Sequence, residues 1–156
     1  PEVGAIVVYP KAGSGQRFCH VGIVTGVAGA ASLASYHVHD DEQLYTVLRT
    51  QVDVVLPEGV AVLNADDLLA AQMAPLCDGD VIFYARDAQR EVIETHLAAG
   101  RRAVFQRAHR VLMAHGAKET VLIEWRCLPV LEGHEPEAVL GAVMAASAAA
   151  WGLGME

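Results

Sequence analysis

His37 and His39, one residue apart and followed by Asp40, Asp41 and Glu42, form the most metal-like cluster in this 156-residue chain. Alternate side chains of an extended segment fall on one side, so both imidazoles would face the same way with Asp41 close by, a donor set suited to a divalent cation. The aspartates also fit the N-cap of a following helix, where a short carboxylate accepts from free backbone N–H groups, and that role accounts for them fully. Lys11-Ala12-Gly13-Ser14-Gly15 has the residue types of a phosphate loop. Such a loop places its glycines before the lysine and a helix after the serine, whereas only about half a dozen residues separate Gly15 from the next apolar run, so it reads as a connector. Asn64, Asp66 and Asp67 follow a strand-like run and are candidates to line a nucleotide cleft; their plainer role is to end the strand and cap a helix. His20, His96, His109, His115 and His134 are scattered and read as surface or helix-end residues. No serine or cysteine has a histidine and an acid near it in sequence, so no catalytic residue is assigned.

The elements that must position these residues follow from the apolar pattern. Continuous runs rich in β-branched residues at 5–8, 21–24, 60–63 and 81–84 suggest buried parallel strands joined by crossover helices. Asp40 and Asp41 open a helix of about 15 residues whose apolar positions Leu44, Val47, Leu48, Val52 and Val55 recur at helical spacing, and Pro57-Glu58-Gly59 stops it. Asn64-Ala65-Asp66-Asp67 leads into a helix through Leu76, and Asp87 caps another to about Ala98, ended by Gly100. Short apolar runs at 103–105, 111–113 and 121–123 predict a small antiparallel meander. Pro136 suits the first turn of a last helix through Trp151, apolar on nearly every side, whose Gly141, Ala145, Ala148 and Ala149 would let another backbone approach closely.

Composition narrows the function classes. A net charge of −8 repels nucleic-acid backbones and anionic lipid, so neither partner is expected. The longest apolar stretch, 138–151, falls short of the roughly 18 residues that cross a membrane, and no leader-like segment opens the chain. Cys19, Cys77 and Cys127 are odd in number and form no CxxC pair, and they read as reduced, buried residues of a cytoplasmic protein.

Several segments, in order along nearly the whole chain, resemble the middle, ATP-using domain of the Mur ligase family, closest to its cyanophycin synthetases. Val52-Asp53-Val54-Val55-Leu56-Pro57-Glu58-Gly59-Val60-Ala61-Val62-Leu63-Asn64-Ala65-Asp66-Asp67 is similar to the family's helix, strand and NADD turn. Asp78-Gly79-Asp80-Val81-Ile82-Phe83-Tyr84-Ala85 is similar to the strand after it. His20-Val21-Gly22-Ile23-Val24-Thr25 fits the strand leading to the metal-binding loop, and Met144-Ala145-Ala146 with Ala148-Ala149-Ala150-Trp151-Gly152-Leu153-Gly154 fits the closing helix.

The resemblance implies an α/β fold, a mostly parallel sheet flanked by helices with a small antiparallel meander, as one domain over 1–156. It also implies a reaction in which ATP phosphorylates a carboxylate and an amine attacks the acyl phosphate. That chemistry needs a phosphate cradle and metal. The cradle should precede the first strand, and the sequence opens at Pro1, so the expectation is a truncated middle domain without its P-loop segment. Where the family has a metal-binding glutamate this chain has Tyr9; its Gly-Asp-His-Leu-Gly loop matches Ala30-Ala31-Ser32-Leu33-Ala34; its modified lysine matches Leu48; and the asparagine that reads adenine matches Ala142. The resemblance therefore implies a ligase homologue with a degenerate site and no cofactor, with Asn64, Asp66 and Asp67 lining a relic cleft. The expected role is that of a binding, scaffold or regulatory module, with a full-length cyanophycin synthetase as a candidate partner. The alternative is a fragment of an ATP-dependent synthetase that needs other segments. A sheet that has lost part of its cover is expected to self-associate, as a dimer, by edge pairing or helix packing.

Overall fold

The computed structural model describes residues 4–11, 17–25, 32–38, 41–127 and 136–155. Eight strands, β1 (Gly4–Lys11), β2 (Arg17–Thr25), β3 (Ser32–Val38), β4 (Val60–Asn64), β5 (Asp80–Ala85), β6 (Arg102–Arg107), β7 (Arg110–His115) and β8 (Lys118–Glu124), form one sheet in the order β3-β2-β1-β4-β5-β6-β7-β8. Its centre, β1, β4, β5 and β6, is parallel. Helices α1 (Asp41–Asp53), α2 (Leu68–Ala71), α3 (Glu91–Ala98) and α4 (Pro136–Gly152) flank it. This is the expected α/β class.

Burial on both faces explains the unbroken apolar runs of the central strands. Ala61, Leu63, Val81, Phe83, Ala103 and Phe105 point to one face, where Val52 of α1, Met73 and Ile93 of α3 cover them. The alternate residues Val60, Val62, Ile82, Tyr84 and Val104 point to the other, under Leu140, Met144, Ala145 and Ala148 of α4. Ala145, Ala148, Ala149 and Gly152 of α4 thus serve a close approach to the chain's own sheet, where a Cβ on Gly152 would lie 3.3 Å from Val60 Cγ1, whereas Gly141 faces open space. The outer side of α4, with Ala142 and Ala146, is exposed.

Several sequence expectations change in detail. β1 and β2 are antiparallel, from Gly4↔Thr25 to Lys11↔Phe18, because the few residues between Lys11 and Arg17 cannot carry a parallel crossover. Ser32, Leu33 and Ala34, read as loop, begin β3. The expected antiparallel meander is β6, β7 and β8, and the parallel pairing of β6 with β5 makes it part of the same sheet. The helix expected through Leu76 stops at Ala71 and resumes as a single 3₁₀ turn, Ala74–Leu76, built around Pro75. Asp87 accepts from Gln89 N–H at 2.9 Å in a local turn, while the N-cap of α3 is Arg90, whose side chain makes no capping bond. Cys127 is exposed rather than buried.

His96 is the clearest departure from a surface reading. It is 8% exposed, its Nε2 lies 3.0 Å from Val81 O, and its ring meets Phe83 edge-on at 4.7 Å. Burial pushes its pKa down, against the hydrogen bond to Val81 O. The unfolded chain therefore takes up this proton at higher pH than the folded one. Stability is full above about pH 6.5, the unfolded value, and falls as pH drops through the folded pKa. Urea midpoints are expected to be lower at acidic pH than at neutral pH, and His96→Leu is expected to flatten that difference.

Candidate functional site

In an open α/β sheet the ligand crevice lies beyond the carboxyl ends of the strands, where neighbouring strands send their connections in opposite directions. Here β1 leads to β2 on one side and β4 leads to β5 on the other. The switch therefore falls between β1 and β4, and one side of any such crevice is the carboxyl end of β4. The Asn64-Ala65-Asp66-Asp67 turn occupies it.

Each polar side chain of the turn makes at least one hydrogen bond within the protein. Asn64 Oδ1 accepts from Asp66 N–H at 2.9 Å, closing a tight turn. Asp67 Oδ1 accepts from Leu69 N–H at 2.9 Å and from Ala70 N–H at 3.4 Å, as the N-cap of α2. Ala65 N–H donates to Tyr84 O at 2.8 Å and ties the turn to β5. The capping role read from sequence for Asp67 is the one the structure shows.

Asp66 does something the sequence reading did not anticipate. Its side chain is only 10% exposed. Its Oδ2 accepts from the backbone N–H of Arg86 at 2.9 Å and from Arg86 Nε at 3.2 Å. Its Oδ1 accepts from Arg90 Nε at 2.8 Å. Arg86 then donates from Nη1 to Glu137 Oε2 at 2.8 Å, in the first turn of α4. One line of charges, Arg90–Asp66–Arg86–Glu137, joins the ends of β4 and β5, the approach to α3 and the start of α4. Arg86 and Arg90 could be found in sequence only as cations just after a buried run, a weak signal.

A magnesium ligand needs free oxygen lone pairs. The Asp66 carboxylate faces two guanidinium groups and a backbone N–H instead, and Oδ1 of Asp67 accepts from two backbone N–H groups. Among the described residues no group of three His, Cys, Asp or Glu side chains is placed to hold a metal ion. Of the other metal candidates, His37 lies on β3 opposite Phe18, Asp41 begins α1, and His39 lies outside the described residues. Of the positions that the family resemblance singles out, Tyr9 lies on β1 opposite His20, Ser32 begins β3, and Ala142 lies on the exposed side of α4. Also among the described residues, no helix is long and apolar enough to cross a membrane.

No protein-family profile matches the chain. Over 146 residues, 94% of its length, it is 30% identical to a cyanophycin synthetase of a Synechocystis species. It is 37% identical over 99 residues to the cyanophycin synthetase of Crocosphaera subtropica and 32% identical over 100 residues to that of Geminocystis herdmanii. The chain spans 17% of the length of the first and 11% of each of the others.

Proposed function

This chain is a homologue of one segment of the cyanophycin synthetases, and we propose from that premise that it is a ligase-like module which no longer performs ligation. The observation that carries the reading is Asp66. At the strand end where the family's cleft would lie, the most buried carboxylate of the turn is neutralised by Arg86 and Arg90. Its oxygens hold the fold together and are not presented to a cation. The substitutions at Tyr9, Ser32, Leu48 and Ala142 act in the same direction, because none of these groups supplies a metal ligand or an adenine-reading amide of the kind the resemblance implies. The module then acts by binding, and a full-length synthetase is its proposed partner.

A second reading is that the segment contributes to an ATP-dependent synthetase together with other segments. What favours it is the comparison itself: nearly the whole chain aligns with one continuous stretch of a much longer synthetase. The two separate in an assay of ADP release with the chain added to a synthetase from which the matching segment has been removed. The binding-module reading expects no ADP above the level without the chain. Restoration of ATP-dependent amide formation would establish the second reading in its place.

A further inference from the structure

The β6–β7 hairpin tip carries a feature that the ligase reading does not use. Ala108 has φ 53°, the only positive value at a non-glycine residue among those described. Such a conformation is unfavourable for an L side chain, and it persists only where the surroundings enforce it. Two bonds enforce it here: Gln106 Nε2 donates to Ala108 O at 3.0 Å, and Trp125 N–H donates to His109 O at 2.8 Å.

The strained tip borders a groove of about 920 Å³, within the size range of small-molecule sites. Leu112 and Val121, opposite each other on β7 and β8, give it an apolar floor, and Trp125 lines it as well. Its lining includes three guanidinium groups, Arg107, Arg110 and Arg126, against two carboxylates, Glu119 and Glu124. Arg107 pairs with Glu119 at 2.6 Å. Glu124 serves both other arginines, Arg126 at 2.6 Å and Arg110 at a loose 3.7 Å. The hydrogen bond from Arg126 holds the Glu124 carboxyl below its ordinary pKa, so it stays ionised. Even so, the groove keeps one positive charge in excess on a protein whose net charge is −8.

We propose that this groove binds a small ligand carrying a carboxylate or phosphate on a flat apolar body. The guanidinium fork matches both oxyanions. Exposed ion pairs contribute little to stability, so a ligand oxyanion can replace Glu124 on Arg110 at small cost. The body of the ligand lies on Leu112 and Val121, and the strained hairpin tip keeps Arg110 at the rim before the ligand arrives.

The test is a two-dimensional NMR titration of the intact chain with phenyl phosphate and with benzoate, following the Trp125 indole N–H, which Trp125→Phe identifies. At least one is expected to saturate with a Kd of about 1 mM or below, and the tighter of the two identifies the oxyanion. Inorganic phosphate and acetate, which lack the ring, are expected to bind about tenfold more weakly. Arg110→Ala and Arg126→Ala should each weaken binding several-fold while leaving the melting temperature unchanged. The proposal is overturned by no saturable shift up to about 10 mM, by ring-free anions binding equally well, or by both arginine variants retaining full affinity. None of these outcomes bears on ATP, so this proposal and the ligase reading stand or fall separately.

Discussion

Gly79→Ala is expected to cost about 3–5 kcal/mol, a large share of the roughly 5–15 kcal/mol that holds a domain of this size together. A Cβ at this position would lie 2.3 Å from Gly59 O and 2.6 Å from Leu56 O. Both obstacles are backbone carbonyls of the turn that starts β4. That turn is itself fixed, by Gly59 N–H donating to Leu56 O at 2.7 Å and Asp80 N–H donating to Gly59 O at 3.0 Å. No side-chain rotation relieves the clash; the starts of β4 and β5 must move apart, at the edge of both core layers. The check is urea unfolding, with Gly141→Ala as the control. Gly141 has nothing within 4 Å of its added Cβ and sits inside α4, where alanine is the better helix former, so that variant should gain about 0.5–1 kcal/mol. A Gly79→Ala chain as stable as the parent would mean that β4 and β5 do not approach in this way.

Asp66→Ala is expected to lower stability by about 2 kcal/mol. It removes the acceptor of three hydrogen bonds and leaves Arg86 N–H and two guanidinium groups facing each other without a carboxylate. Hydrogen bonds to a charged group contribute about 1.5–3 kcal/mol where they are buried. The side chains of Arg86 and Arg90 are 49% and 38% exposed, and solvent screening reduces their share. Asp66→Asn keeps an acceptor for Arg86 N–H and should lose about half as much. Urea midpoints of the two variants against the parent decide it. If Asp66 were instead a ligand held ready for a cation, removing it would leave stability unchanged or raised, because a cluster of unneutralised charge would be gone.

How much of this was legible in the residues varies with the sequence distance over which each interaction acts. The runs at 60–63 and 81–84, the final helix opened by Pro136 and the hairpins of the meander are local signals, and each appears where the pattern places it. The antiparallel turn from β1 into β2 depended on connector length, which argues against a crossover once it is weighed against the apolar run. The position of His96 depended on which side of α3 faces Phe83, and polarity alone pointed it to solvent. Asp67 was readable because a cap is satisfied within three residues. Asp66 was not, because its partners Arg86 and Arg90 lie 20 and 24 positions away. They reach it only through the parallel register that sets Asn64 beside Tyr84. A carboxylate in a family motif looks the same in sequence whether it faces magnesium or arginine.

The most direct test of the central claim is calorimetric titration of the chain with Mg·ATP. If the carboxylates at the end of β4 are committed to Arg86, Arg90 and the α2 cap, no saturable heat should appear up to about 1 mM nucleotide. A magnesium-dependent Kd in the micromolar range, lost on Asp66→Asn, would contradict the account.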